Sequence, residues 1–210
     1  MYDRRTTVAQ FETRKDEVGN ITRISGYGSI FFRPEDDGSR YMLWEDAEER
    51  IMPGAFDKTD MSECRGLFNH DPDNLLGSVA GGNMELTVDE IGLRYSIEFD
   101  PTDPDHQRVA AKIDRGDLTG SSFGFTVAAE NWRSDGGREI REIKQVGKLF
   151  DVGPVTFPAY TGTSANTRDS DVIEAAEDSY KSWTSKHSRS QEIDIKVNTI
   201  KAKIALDKMN

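Results

Sequence analysis

Short apolar segments separated by turns recur along residues 21–157, and this pattern most limits the folds open to the chain. In the clearest segment, Gly92 to Phe99, polar residues alternate with Leu93, Tyr95, Ile97 and Phe99. Alternation with a period of two is typical of a strand that buries one face. Many short strands with few helices predict a mainly β fold with flanking helices (α+β), built on an antiparallel barrel or sandwich.

The other apolar segments predict further strands. Gly26 and Gly28 interrupt the first of them, which predicts a bulge or a sharp bend there. One helix is expected from Asp103 to Gly116, with Asp103 as its N-cap and Gly116 at its end. The remaining strands are predicted over Ile21 to Phe32, Leu67 to His70, Leu76 to Ala80, Met84 to Val88, Ser122 to Ala129, Arg138 to Val146 and Leu149 to Phe157.

The composition changes along the chain and divides it into three parts. Residues 1–20 read as a polar N-terminal arm, residues 21–162 as the main domain, and residues 163–210 as a polar, helical C-terminal tail. Apolar residues recur at helical spacing in two stretches of that tail. The first stripe is Val172, Ala176, Tyr180 and Trp183, and the second is Ile193, Val197, Ile200 and Ile204.

Charge and composition exclude several classes of function. The formal net charge of -11 disfavours binding to nucleic acid and to anionic lipid. The chain has no apolar run that could span a membrane and no signal peptide, and Cys64 is its single cysteine, so synthesis in the cytoplasm is expected. Clustered metal ligands and phosphate-binding glycine loops are absent from the sequence, which predicts no metal and no cofactor.

Ser122 is the candidate nucleophile. It opens an apolar strand in which Phe123, Phe125 and Val127 share one face, while Ser122 and Gly124 take the other. Gly124 leaves room beside the hydroxyl for a substrate backbone. Two simpler interpretations remain open at this point: that Gly120-Ser121-Ser122 is only a turn, and that Ser121, facing the other way, is the reactive serine.

His70 is the candidate general base, because it ends an apolar segment and an imidazole suits proton transfer near neutral pH. The alternative interpretation is that His70 is only a solvent-facing residue at the end of a strand. His106 is expected to be exposed at the start of the predicted helix, and His187 lies in the polar tail. A pairing of Cys64 with His70 is conceivable, although no motif surrounds the cysteine.

Asp151 is the candidate residue to orient the histidine. A carboxylate within an apolar strand is unfavourable unless it is paired, and an imidazole N–H is a natural partner. Glu142 on the preceding strand is the alternative, and Asp71 is adjacent to His70 but should diverge from it in an extended chain. A nucleophile, a base and an orienting carboxylate together are what acyl transfer by a serine hydrolase requires.

Five segments, in order, resemble the prohead (head maturation) proteases of tailed bacteriophages, which are related to the herpesvirus assemblins. The resemblance extends over roughly residues 20 to 165. The segments are Gly26 to Phe31, Glu49 to Phe56, Leu67 to Asp71, Leu118 to Phe125 and Asp151 to Tyr160.

The resemblance implies which residues would carry the chemistry. The family's histidine falls on His70 and its serine on Ser122, whereas Ser121 stands where the family commonly has methionine. The family usually has a glutamate followed by Val-Ser where this chain has Asp151-Val152-Gly153. The orienting carboxylate is therefore kept in a shorter side chain.

The resemblance also implies a fold and a biological setting. The fold would be an assemblin-like antiparallel β-barrel with a helical C-terminal tail. The activity would be that of a serine endopeptidase inside the immature prohead in the host cytoplasm. Its substrates would be the scaffold protein, the major capsid protein's scaffolding segment and the protease itself.

A second function fits the same sequence. The altered segment at Asp151 and the tail also suit a catalytically silent capsid-assembly or scaffold protein that keeps the protease fold. The apolar stripes of the tail would then dock on scaffold or capsid protein or pair between copies in a homo-oligomer, unless they fold back onto the main domain.

Overall fold

The computed structural model describes residues 3–157 and 174–186. Within these ranges the chain forms eleven strands and two α-helices. In chain order they are β1 (Asp3–Val8), β2 (Glu12–Lys15), β3 (Ile21–Ile30), β4 (Tyr41–Trp44), β5 (Ala47–Ile51), β6 (Arg65–Leu67), β7 (Leu75–Ser78), β8 (Met84–Val88), β9 (Gly92–Glu98), α1 (Pro104–Asp114), β10 (Gly120–Asp135), β11 (Arg138–Val155) and α2 (174–186).

The strands form two sheets. The first has the order β1-β10-β11-β5-β4, with β6 pairing to β11 and β7 pairing to β6; the second has the order β2-β3-β9-β8. The predicted mainly β class is confirmed, but the described strands form no closed ring, so the predicted barrel is not found. The sheet is not wholly antiparallel either, because β11 pairs in parallel with β5 and with β6. At 18 residues, β11 is long enough for separate stretches to pair with both strands.

The two sheets pack face to face around an aromatic and aliphatic core. Leu93, Tyr95 and Ile97 of β9 are fully buried, which confirms the predicted alternation in that strand. Phe123 and Phe125 of β10 are also fully buried and stack with ring centroids 4.6 Å apart. These buried side chains hold β10 in place, so the polar residues between them have fixed positions.

The predicted bulge and helix are both present. The register between β3 and β9 shifts at Tyr27, next to Gly28. The Asp103 carboxylate accepts hydrogen bonds from the N–H groups of Asp105 and His106, as an N-cap does. Gly116, just beyond the helix, has a φ of 77°, a conformation that glycine adopts readily.

His106 corrects an expectation, because it is buried rather than exposed. Its ring stacks on Phe99 at 4.7 Å, and its Nδ1 accepts a hydrogen bond from the Asp100 N–H at 2.9 Å. Phe99 lies just beyond the end of β9, and its ring covers the imidazole. His106 therefore has a structural role within the fold.

Both ends of the chain were assigned from the sequence to polar segments. Residues 3–8 and 12–15, from the predicted arm, are β1 in the first sheet and β2 in the second. Asp3 and Arg5 of β1 are buried despite their charge. The helix over residues 174–186 includes part of the first apolar stripe of the tail. The second stripe, and the rest of the predicted tail, lie outside the described residues.

Candidate active site

Ser122 lies on β10 between two neighbouring strands. It is opposite Gly153 of β11 and Thr6 of β1. Phe123 and Phe125 are buried on the far face as predicted, and the register shifts just beyond Gly124. The hydroxyl is thus held on a strand that core packing keeps rigid, and the residue is only 1% exposed.

His70 follows β6 in a tight turn. The strand predicted to reach His70 stops at Leu67, and Asn69 and His70 have φ values of 58° and 57°. Two successive non-glycine residues in the left-handed region are unfavourable, by about 1–3 kcal/mol each, and such residues cluster at functional sites. The turn re-aims the imidazole away from the direction that the strand would have given it.

Asn69 ties this turn to the end of β11. Its N–H donates to the Pro154 carbonyl at 3.1 Å. Its side-chain amide accepts from the Thr156 N–H at 2.8 Å and donates to the Thr156 hydroxyl at 3.0 Å. These three hydrogen bonds offset the backbone strain and fix His70 against the strand that carries Asp151.

The three sequence-predicted site residues come together in the structure. His70 Nε2 lies 2.5 Å from Ser122 Oγ, and His70 Nδ1 is hydrogen-bonded to Asp151 Oδ1. The side chain of His70 is 12% exposed and that of Asp151 is 6% exposed, so both contacts are largely shielded from water. A carboxylate bonded to Nδ1 leaves Nε2 free to accept the proton of the hydroxyl, which is the arrangement that nucleophilic catalysis needs.

Gly153 lies where β11 comes close to the segment that leads to His70. A Cβ at this position would lie 2.1 Å from the carbonyl oxygen of Leu67. No side chain can occupy that space, because the atom it would meet belongs to the backbone. The glycine therefore lets the segment that leads to His70 approach β11 closely.

Ser121, the rival nucleophile, points into the core. Its Oγ is 2.7 Å from the Tyr95 hydroxyl and 3.4 Å from the Gly153 carbonyl oxygen. It thereby joins the two sheets, and it is fully buried. These contacts give Ser121 a structural role.

The rival carboxylates are engaged elsewhere. Glu142 lies on β11 opposite Asn131 and pairs with Arg133 at 3.1 Å and Lys144 at 2.8 Å. Asp71 caps the short 3-10 turn that follows it, accepting from the Asp73 N–H.

Cys64 does not provide a reactive thiolate in this structure. It is fully buried, and that burial, together with the nearby Asp151 charge, raises its pKa to about 12. A thiol with such a pKa is protonated at neutral pH, whereas the thiolate is the nucleophile. The conceivable pairing of Cys64 with His70 is therefore not supported.

Residues 3–157 and 174–186 hold no group of three or more His, Cys, Asp or Glu side chains that could bind a metal ion. Neither helix in these ranges is long and apolar enough to cross a membrane.

Sequence reasoning missed two residues that act at the site. In the sequence Asn69 stands out only as part of the Leu67 to Asp71 segment, although asparagine tolerates positive φ better than most residues and is therefore compatible with a turn there. Arg5 was assigned to the polar arm, yet its carbonyl oxygen accepts a hydrogen bond from Ser122 Oγ at 2.8 Å. No local sequence signal identifies the contact between Arg5 and Ser122. The two residues are 117 positions apart in the sequence, and only the pairing of β1 with β10 brings them together.

Comparisons with known proteins identify the family to which the chain belongs. The family model described as Caudovirus prohead serine protease matches residues 9–178. The prohead protease of Enterobacteria phage HK97 is 27% identical over 139 residues, which cover 65% of this chain and 55% of that protein. The chain thus spans about half the length of this curated relative. No solved structure matches the chain.

Proposed function

Because the chain belongs to the prohead serine protease family of tailed phages, we propose that it is a serine endopeptidase of head maturation. Its substrates are the scaffold protein, the scaffolding segment of the major capsid protein and its own chain, inside the immature prohead in the host cytoplasm. The observation that carries the proposal is the pair of contacts made by His70, one with Ser122 and one with Asp151. Family membership supports the biological setting.

The mechanism follows from these contacts. His70 Nε2 accepts the proton as Ser122 Oγ attacks a peptide carbonyl carbon, forming a tetrahedral intermediate. The C–N bond then breaks, and His70 returns the proton to the leaving amine. Water, deprotonated by the same imidazole, attacks the acyl-enzyme and releases the second product.

Asp151 has an orienting role in this mechanism. Its hydrogen bond to Nδ1 holds the proton on that nitrogen, so that Nε2 presents a lone pair to the hydroxyl. Its negative charge also stabilises the imidazolium that forms as Ser122 attacks. Because both side chains are shielded from water, this charge interaction acts at an effective dielectric constant below that of bulk solvent.

The proposal is tested by incubating the purified chain with its cognate major capsid protein and following the masses of both over time. We expect new capsid-protein fragments to appear and to be suppressed when the chain is first treated with a serine-directed reagent. Trimming of the chain itself would be suppressed by the same reagent.

Absence of any cleavage would contradict the proposal. If the capsid protein, the scaffold protein and the chain all stay intact over prolonged incubation, the chain is the catalytically silent assembly protein instead. Trypsin treated with the same reagent serves as the control that the reagent was active.

A further inference from the structure

Strand β1 covers the catalytic serine. Thr6 is opposite Ser122 in the antiparallel pairing of β1 with β10, and Arg5 precedes it. The carbonyl oxygen of Arg5 lies 2.8 Å from Ser122 Oγ, and Ser122 is 1% exposed. The nucleophile is therefore in contact with a peptide carbonyl of its own chain.

This contact is incompatible with attack on a substrate. The Ser122 hydroxyl has one proton, which it cannot give to the Arg5 carbonyl and to His70 Nε2 at the same time. A reacting carbonyl carbon must also come within roughly 3–3.5 Å of the attacking oxygen. The carbonyl of Arg5 occupies that space, so a substrate reaches Ser122 only after β1 has moved.

The side chain of Arg5 occupies a pocket formed by Glu49 and Phe125. Its Nε and Nη2 donate to the two carboxylate oxygens of Glu49 at 2.5 and 2.7 Å, and its guanidinium lies 5.7 Å from the ring centroid of Phe125. Glu49 is fully buried. A bidentate carboxylate beside an aromatic ring matches the planar guanidinium better than the ammonium of lysine.

Glu49 has a second cationic partner besides Arg5. Arg141 Nη1 donates to Glu49 Oε2 at 2.9 Å, and Arg141 itself is held by Glu130. Burial by itself raises the pKa of the Glu49 carboxyl, but the charges of Arg5 and Arg141 outweigh it and place the pKa below its ordinary value. Glu49 is thus ionised when it is paired with an arginine in the position of Arg5, and its hydrogen bond with Arg141 does not involve Arg5.

The position of strand β1 at the edge of its sheet also favours its displacement by a substrate peptide. It lies at the end of the first sheet and pairs with β10 alone among the described strands. The Oδ1 atom of its buried Asp3 accepts no hydrogen bond in the described part of the chain, but it forms ion pairs with Arg5 Nη2 at 3.6 Å and Arg141 Nη1 at 4.0 Å. A displacing peptide therefore has to replace the pairing of β1 with β10 and the contacts of Arg5 and Asp3.

We infer that β1 occupies the position of the substrate, and that Glu49 forms the subsite for an arginine side chain on the acyl side of the bond to be cut. This inference rests on the proposed peptidase function. A substrate peptide pairs antiparallel with β10 in place of β1, and its arginine binds Glu49 while the carbonyl carbon of the same residue, rather than its oxygen, faces Ser122 Oγ. The described chain is thus a self-blocked form that an arginine-containing extended peptide opens by competition.

The first test measures how fast a fluorophosphonate labels Ser122. In this reaction an Oγ–P bond forms, fluoride leaves, and His70 takes the hydroxyl proton. Arg5→Gln removes the bidentate pairing and should accelerate labelling at least tenfold relative to the natural chain. Arg4→Gln, an exposed position on the same strand, is the matched control and should label at the natural rate.

A second arm tests the pocket directly. A synthetic peptide of residues 3–10, added to the Arg5→Gln chain, should slow labelling. The same peptide with citrulline in place of Arg5 alone has almost the same shape without that charge, and it should not protect. Equal protection by the two peptides would overturn the role assigned to Glu49.

A third arm uses the natural chain and does not depend on the folding of any variant. After phosphonylation of Ser122, hydrogen exchange should show that the amides of residues 3–8 have lost protection while those of β9 keep theirs. If β1 stays protected in the labelled protein, or if the natural and Arg5→Gln chains label equally fast, the inference is wrong while the peptidase function stands. If no folded chain is labelled at all, the proposed function fails, and this inference fails with it.

Discussion

Replacing Ser122 with alanine is expected to abolish peptide cleavage while leaving the fold intact. In hydrolases that use a serine, a histidine and a carboxylate, loss of the nucleophile lowers the rate by about 10⁴-fold or more. The fold should survive because the core packing of β10 comes from Phe123 and Phe125 on its other face. Cleavage of the capsid protein and the thermal unfolding midpoint, measured on one preparation, check both statements.

Ser121→Ala is the matched control, one residue away on the same strand. It leaves the buried Tyr95 hydroxyl without the partner it now has at 2.7 Å, so stability should fall by about 1–3 kcal/mol. Cleavage should nevertheless continue below the unfolding temperature. The opposite pattern, in which folded Ser122→Ala cleaves at the natural rate and folded Ser121→Ala does not, would reassign the nucleophile.

Replacing Asp151 with asparagine is expected to lower the cleavage rate by about 10⁴-fold, comparable to the loss in related triads when the orienting aspartate becomes an amide. The amide has nearly the same shape, but it carries no charge to stabilise the imidazolium, and its NH₂ group favours the wrong tautomer of His70. The turnover number measured with a capsid-derived peptide checks this prediction, since substrate binding should change much less.

Two further substitutions distinguish the orientation of His70 by Asp151 from the general effect of removing a negative charge from β11. Glu142→Gln removes a carboxylate from the same strand, but Glu142 pairs with Arg133 and Lys144, so cleavage should remain near the natural rate. Asp151→Glu keeps the charge and lengthens the side chain in a space already filled by the His70 contact, so it should restore only part of the activity. A large loss with Glu142→Gln and none with Asp151→Asn would show that Glu142 orients the base.

Sequence reasoning could predict the strands and the candidate triad because each left a local signal. The alternation in Gly92 to Phe99 and the capped helix after Asp103 follow from side-chain periodicity and backbone hydrogen bonding. Strand geometry sends the side chains of Ser121 and Ser122 to opposite faces, and the resemblance to the prohead proteases then favours Ser122. Asp151 is a candidate because an unpaired carboxylate in an apolar strand is unfavourable, although the sequence leaves Glu142 open as the alternative.

The remaining features depend on contacts between distant segments. The parallel pairing of β11 with β5 and β6 cannot be deduced from strand patterns, since the pattern of each strand is the same for either direction. His106 is buried because Phe99 folds over it, and Arg5 is buried because Glu49, 44 residues away, pairs with it. Residues 3–8 therefore look like a solvated arm in the sequence and form a strand in the structure.

The most direct test of the central claim is a nuclear magnetic resonance measurement of the His70 ring in the natural chain. We expect a strongly downfield Nδ1–H proton that disappears with His70→Gln and with Asp151→Asn and persists with Glu142→Gln. The Nε2 resonance of the same ring should move when Ser122 becomes alanine. A His70 ring whose signals respond to neither Asp151→Asn nor Ser122→Ala in folded protein would contradict the catalytic arrangement.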